Sequence, residues 1–226
     1  MTQRPLALIT GASRGIGAAI AESLADTHEL LLGGRDGAAL AKVAGALPAA
    51  RPWPVELTDA DALRAATADI DRLDVLVHSA GIVRLGRFED YSATDWRDTF
   101  EVNVIAVAEL TRLLLPALRA ASGHLVVINS GSGLKANPGW GAYAPSKFAL
   151  RAYTDMLRAE EPEIRVTSVH PGRTATDMQR RVRSYENGPY EAEKYMSPSS
   201  IANMVHAAIA TPPDAHVHEL VIRQRP

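Results

Sequence analysis

The sequence predicts an α/β fold, a single doubly wound domain with a parallel sheet of about seven strands and helices on both faces. Three observations predict it. Short apolar runs recur along the chain, among them Leu6-Ala7-Leu8-Ile9, Leu30-Leu31-Leu32 and Leu125-Val126-Val127-Ile128. They lack the polar alternation of a half-solvated sheet, so they read as strands buried on both faces. Segments with helical spacing separate them, and strand–helix–strand succession implies parallel pairing through right-handed crossovers. The first apolar run also turns into a helix through a glycine-rich loop.

Bulk properties narrow the function. The 226 residues suit one domain with a large core, and neither repeats nor a domain break interrupt them. Apolar residues make up 46% and charged residues 22%, an ordinary globular balance. A formal net charge of −2 gives no global field for nucleic acid. The absence of cysteine excludes disulfides and thiol catalysis. No run approaches the roughly 18 uninterrupted apolar residues of a membrane helix, so no membrane partner is expected. No cluster of metal ligands is visible, so no metal is expected. Met1-Thr2-Gln3-Arg4-Pro5 leads into a strand and does not read as a signal peptide, which makes a cytoplasmic protein the expectation.

The first strand, Leu6 to Ile9, is followed by Thr10-Gly11-Ala12-Ser13-Arg14-Gly15-Ile16-Gly17. The spacing is Gly-x-x-x-Gly-x-Gly rather than Gly-x-Gly-x-x-Gly, but the physics is shared. Glycines let backbone amides approach a pyrophosphate, and a helix N-terminus adds partial positive charge. Ile16, Ile20 and Leu24, four apart, mark that helix. The second strand, Leu30 to Leu32, ends at Gly33-Gly34-Arg35. An acid at that end would bind the adenosine ribose of NAD; Gly34 stands there instead. Arg35 and Arg14 offer guanidinium forks suited to a 2′-phosphate, so the pair points to NADP(H) over two solvated surface arginines.

A helix over Gly37 to Leu47 and a strand over Trp53 to Leu57 come next. Asp59 then serves either as an acceptor for an adenine amino group or as the N-cap of the helix from Ala60. Leu73 to Val77 is the fourth strand and runs into His78-Ser79-Ala80-Gly81. Ser92 and Asp95 form a capping-box pattern, and one long helix is expected from there to Leu115, kinked or ended by Pro116. Asn103 falls inside it among Val102, Val104 and Ile105, where a buried amide needs partners.

The fifth strand, Leu125 to Ile128, ends at Asn129-Ser130-Gly131-Ser132. A hydroxyl at the carboxyl edge of a parallel sheet faces the ligand crevice and can donate to a carbonyl oxygen. Tyr143-Ala144-Pro145-Ser146-Lys147 opens the next helix, with proline tolerated in its first turn. Residues four apart share a face, which sets an ammonium near a phenol. A free tyrosine titrates near ~10, and a neighbouring positive charge lowers that value. A phenol tuned this way can exchange a proton with a carbonyl or alcohol.

Together these motifs resemble the classical short-chain dehydrogenase/reductase family. The matching stretches are residues 10–17, Ala80-Gly81, Asn103 in Asn-Val, Ser130, Tyr143-x-x-x-Lys147 and the 13-residue step from Ser130 to Tyr143. Pro171-Gly172, with Thr174 and Thr176 behind it, resembles the family's nicotinamide-side motif. The resemblance spans nearly the whole chain and implies a single Rossmann-type domain. It implies Tyr143 as general acid in reduction and base in oxidation, and Ser130 as the group that orients the carbonyl, with Ser132 a rival set aside on spacing. Lys147 would bind the nicotinamide ribose and lower the Tyr143 pKa. Asn103 would help hold a relay water. The implied cofactor contacts are Gly11, Ser13, Arg14, Gly15, Ile16, Gly17, Arg35, Asp59, Ala80, Gly81, Tyr143, Lys147, Pro171, Gly172, Thr174 and Thr176. His78-Ser79 replaces the family's Asn-Asn, and the shorter Ser79 puts the cross-sheet bonds of that turn in question. His78 reads as structural.

Ile164 to His170 forms the sixth strand, a helix runs from the Ser197-Pro198-Ser199 start to Ala210, and Val217 to Ile222 is the last strand. Residues 173–196 are polar and turn-rich, and the resemblance implies a substrate lid there. Arg173, Arg180, Arg181 and Arg183 attract an acidic substrate or form a solvated face, and Tyr185, Tyr190 and Tyr195 line a pocket or pack the lid. The expected activity is an NADP(H)-dependent oxidoreductase acting on a small carbonyl or alcohol. A homodimer or homotetramer paired through the helices of Asn103 and Tyr143 is implied by the family. The alternatives are an NADP(H) sensor without turnover, or an isomerase, epimerase or dehydratase on the same fold.

Overall fold

The computed structural model describes residues 4–225. Among them, seven strands form one sheet: β1 (Leu6–Thr10), β2 (Glu29–Gly34), β3 (Ala50–Pro54), β4 (Val75–His78), β5 (His124–Ile128), β6 (Arg165–Pro171) and β7 (Glu219–Ile222). Their order is β3-β2-β1-β4-β5-β6-β7, parallel at every step. The helices are α1 (Gly15–Leu24), α2 (Gly37–Ala44), α3 (Ala60–Thr67), α4 (Ala93–Phe100), α5 (Ala106–Ala121), α6 (Tyr143–Glu160), α7 (Asp177–Tyr185) and α8 (Pro198–Ile209).

Side chains of a strand alternate between faces, and the two cores follow that period. Ala7, Ile9, Val75 and Val77 pack with Ile20 and Leu24 of α1 and with Ile201 and Val205 of α8. Leu8, Leu76, Leu125 and Val127 pack on the other face with Leu110 and Leu114 of α5 and with Leu150 and Leu157 of α6. Strand order reverses at β1, between β2 and β4, so the carboxyl ends there open the crevice where such sheets bind ligands.

The expected doubly wound architecture is present, with two local corrections. The third strand spans Ala50–Pro54 instead of residues 53–57. Val55 donates its amide to the Gly34 carbonyl at 2.9 Å, so alternate residues put the nitrogens of Pro52 and Pro54 on the outer side. Proline is tolerated on an edge strand because no partner there needs an N–H. The long helix expected from Ser92 is three pieces: α4, a π-helical turn over Glu101–Ile105, and α5. Pro116 lies inside α5 and does not end it. A proline inside a helix costs it about 3 kcal/mol. Leu110, Leu114 and Leu118 are fully buried beside it, and each contributes roughly 1.5–3 kcal/mol, so packing outweighs the break. The Ser92–Asp95 capping box forms, and Asp59 caps α3 through the amides of Asp61 and Ala62. No helix among the described residues is long and apolar enough to cross a membrane.

Candidate active site

The glycine loop is held by backbone packed on backbone. A Cβ at Gly11, whose φ is +67°, would lie 2.8 Å from the Ala80 nitrogen, and one at Gly17 would run into the Gly11 carbonyl. Side chains are therefore excluded where β1, α1 and the turn after β4 meet. Thr10 ties the same junction. Its hydroxyl accepts from the amides of Ser79 (3.1 Å) and Ala80 (3.2 Å) and donates to the Val77 carbonyl (3.4 Å). This hydroxyl holds the turn at the place where Ser79 is shorter than asparagine; the sequence reading gave Thr10 no such part.

Helix α1 starts without a side-chain cap and without an acid in its first turn. By contrast α2, α3, α4, α7 and α8 are each capped by a side-chain oxygen, from Asp36, Asp59, Ser92, Thr176 and Ser197. The first amides of a helix are orphan donors with a partial positive charge. Left free behind a glycine-rich loop, they suit a phosphate. Ser13, Gly15 and Ile16 of this loop are half-buried. Thr176, which caps α7 through the Gln179 amide, faces Gly15.

The two arginines read as phosphate ligands are both exposed and loosely paired. Arg35 lies 3.6 Å from Glu56, and Arg14 lies 3.7 Å from Asp177 of α7. Asp36 caps α2, and no acid occupies position 34 at the end of β2.

At the same sheet edge the structure brings Ser130, Tyr143, Lys147 and Asn103 together. Tyr143 is the first residue of α6 and is 6% exposed. Burial pushes its phenol above the ordinary tyrosine value, and the Ser130 hydroxyl beside it pulls the other way. The net direction is thus upward, opposite to the lowering expected from the Lys147 charge alone. The Lys147 ammonium lies 5.7 Å from the Tyr143 ring centre and donates to the Ile128 carbonyl at 3.1 Å. Burial lowers the Lys147 pKa to about 8. Ser130 Oγ accepts from the Ser132 amide at 3.0 Å, which leaves its hydrogen free to donate elsewhere. Ser132 itself is buried.

Asn103 sits in the π-helical turn and is 1% exposed. Its side chain accepts from Ile82 N (2.9 Å) and donates to Ile82 O (3.0 Å) and Ser146 Oγ (3.1 Å). A Cβ at Gly81 would stand 3.2 Å from Asn103 Oδ1 and 3.9 Å from Lys147 Nζ, so Gly81 leaves that space open. At the end of β6, Gly172 donates to Ile222, Thr174 Oγ1 donates to Gly172 O (3.1 Å) and Thr176 Oγ1 to Thr174 O (3.2 Å). Pro171 closes β6 beside them.

His78 does not face this site. Its Nε2 lies 2.9 Å from Thr111 Oγ1, and burial lowers its pKa to about 3, so it stays neutral in the core. Residues 173–196 hold α7 on ion pairs and stacking. Arg173 and Arg183 both bind Glu186, while Arg180 lies 4.2 Å over the Tyr190 ring, which stacks on Tyr195 at 5.7 Å. A cleft of about 430 Å³ opens between this segment and α1, lined by Arg14, Gly15, Thr176, Asp177, Arg180 and Tyr190 among others. Among the described residues no group of three or more His, Cys, Asp or Glu side chains could hold a metal ion.

A family model described as short chain dehydrogenase matches residues 5–187. A glycine betaine reductase of Emericella nidulans is 32% identical over 97% of this chain, which spans only 19% of that protein. An alcohol dehydrogenase of the archaeon Thermococcus sibiricus, solved with 5-hydroxy-NADP, superposes with a TM-score of 0.90 at 29% identity, covering 99% of each chain. A short chain dehydrogenase of Escherichia coli CFT073, solved with NADPH, superposes at 0.89 with 26% identity over 99% of this chain and 98% of that one.

Proposed function

The chain belongs to the short-chain dehydrogenase family of oxidoreductases, and from that premise we propose that it is an NADP(H)-dependent carbonyl reductase/alcohol dehydrogenase with Tyr143 as its acid–base. One observation carries the reading: a half-buried Ser130 and the buried Tyr143 and Lys147 stand together at the sheet edge beside the uncapped, glycine-rich start of α1. The alternative of a sensor without turnover has no comparable support, because this set has no need to be gathered in a protein that only binds.

The residues present fit the dinucleotide. Gly11, Ser13, Gly15, Ile16 and Gly17 would hold its pyrophosphate at the free amides of α1. Arg14 and Arg35 would exchange their weak carboxylate contacts for the 2′-phosphate, a stronger charge-assisted partner. Asp59 keeps one carboxylate oxygen beyond its capping bonds for the adenine side. Ala80, Gly81, Pro171, Gly172, Thr174 and Thr176 would flank the nicotinamide half. Bound NADPH supplies the hydride.

The protein's part is positional and protonic. Ser130 donates its free hydroxyl hydrogen to the substrate oxygen and shares the charge that develops there. Tyr143, kept protonated at neutral pH by burial, gives that oxygen its proton. Lys147 remains charged below its pKa of about 8, holds the ribose hydroxyls and favours the phenolate that Tyr143 leaves behind. Asn103, fixed in the π-helical turn, would hold a relay water on the Lys147 side. Residues 173–196 would close over a small carbonyl substrate and exclude water.

The test is NADPH oxidation with a panel of aldehydes, ketones and diketones, for wild type and Tyr143→Phe, with NADPH binding measured for both. The expected result is turnover by wild type alone, a drop of at least about 100-fold in the variant, and binding intact in each. Equal turnover by the variant would remove Tyr143 from the mechanism. Net interconversion without NADPH loss would favour an isomerase or epimerase.

A further inference from the structure

Behind Ser130 stands a histidine that the mechanism does not use. His170, in β6, is 0% exposed, so it touches no substrate. Its Nδ1 lies 3.1 Å from the Ser130 carbonyl oxygen and its Nε2 lies 3.0 Å from Ser168 Oγ. A carbonyl only accepts, so Nδ1 carries the hydrogen and donates to Ser130, while Nε2 of the neutral ring accepts from Ser168. The Ser130 carbonyl thereby takes two bonds, one from Gly133 N in its own turn (3.0 Å) and one from β6. Asn129, one residue earlier, is also tied to β6 through Val169 (2.7 Å). The peptide that presents the Ser130 hydroxyl is thus fixed from behind.

The brace extends to the end of the chain. Arg223 donates to the His170 carbonyl at 2.7 Å, and its guanidinium packs under Gly131. Glu219 of β7 lies 3.8 Å from His170 Nε2 and is paired with Arg151 of α6 at 3.2 Å. Burial holds the His170 pKa below the ordinary histidine value against the opposing pull of Glu219, which keeps the ring neutral and the tautomer single.

We propose that His170 is a positioning residue for Ser130: through its Nδ1–H it sets the orientation of the serine that binds the reacting oxygen, and β7 and Arg223 complete the brace. This rests on the reading of Ser130 given above. A shift of about 1 Å in such a group can cost on the order of 100-fold in rate, and loss of one of two carbonyl bonds permits a fraction of that.

The experiment compares kcat, NADPH affinity and thermal melting for wild type, His170→Leu, His170→Asn, Ser130→Ala and Ser130→Ala/His170→Leu. His170→Leu is expected to lose about tenfold in kcat with NADPH affinity within twofold. Asparagine, whose Nδ2 stands near the imidazole Nδ1, is expected to restore most of it. In the Ser130→Ala background the second change is expected to cost nothing more, the non-additivity of groups acting as one. An equal loss with and without Ser130, or no rescue by asparagine, would overturn the proposal. The imidazole 15N shifts of wild type decide it independently of turnover or of variant folding: a protonated Nδ1 with a bare Nε2 is expected, and the opposite tautomer would overturn the contact with Ser130. A wild type that reduces no carbonyl, but shows the Nδ1–H tautomer, would sink the proposed activity and leave the brace standing.

Discussion

Two regions of this molecule flank the same crevice and are built by opposite means. The glycine loop and the turn after β4 meet backbone to backbone, with Thr10 as the bond between them. Residues 173–196 are held by the Arg173–Glu186–Arg183 cluster and by Arg180 stacked on the half-buried Tyr190 ring. Close-packed backbone has no cheap adjustment, because nothing flexible lies at the contact. Exposed ion pairs contribute about 0–1 kcal/mol each and can exchange partners. The difference teaches where the molecule is fixed and where it can move: a dinucleotide would meet a preformed floor under an adjustable cover.

Breaking the floor is expected to give the largest effect. Gly17→Ala should destabilise the fold by about 2–3 kcal/mol and abolish measurable NADPH binding, because the new methyl meets the Gly11 carbonyl, which cannot yield. Urea unfolding and a binding titration check it.

His78, buried at the end of β4 on the floor side, comes next in size of effect. Its folded pKa of about 3 lies below the value near 6.5 of an unfolded chain. Its contribution is therefore fully present above pH 6.5 and is lost as pH falls toward 3. The slope is about 1.4 kcal/mol per pH unit from this group. Stability measured at pH 7, 6 and 5 should fall less steeply in His78→Asn than in wild type, by about that slope; parallel profiles would show that the imidazole is not held neutral. His124, lowered to about 3 as well, and His28, His170 and His216, also lowered by burial, remain in both proteins and contribute to the residual slope.

At the border between the regions, Arg35→Ser is expected to weaken NADPH binding about tenfold and leave NADH binding within twofold, as loss of one charge-assisted contact implies. Equal weakening of both cofactors would remove Arg35 from the 2′-phosphate. The smallest effect belongs to the cover. Glu186→Gln releases two arginines yet should cost less than about 1 kcal/mol, and the loss should shrink as salt is raised. A larger, salt-insensitive loss would mean that this segment is as fixed as the floor.

The sequence made much of this visible, and the pattern of what it concealed is physical. Strands buried on both faces announce themselves as unbroken apolar runs, so β1, β4 and β5 were legible. The step from Ser130 to Tyr143 and the Tyr143–Lys147 turn were legible because helix geometry converts spacing into adjacency. The π-helical turn around Asn103 was not, since one extra residue within a helix leaves no mark in an apolar pattern. Pro116 misled because propensity is local while its helix is held by the sheet. The β3 boundaries shifted for a related reason: Pro52 and Pro54 fit a strand only when their nitrogens face outward, a direction that sequence does not show. Thr10 and His170 were hidden because their partners, Ala80 and Ser130, are 70 and 40 residues away. The electrostatics of Tyr143 were reversed because charge pairing is readable from a helix face and burial is not.

Those outward prolines have a consequence for how copies of the chain can associate. Pro52 and Pro54 leave Ala50 as the one outward amide donor of β3, so a foreign strand finds few partners there. The opposite rim, β7, has no such seal, and Val221 on it is exposed. Strand addition is therefore less favourable at β3 than at β7, and any chain that paired through β7 would turn its proline-bearing rim outward.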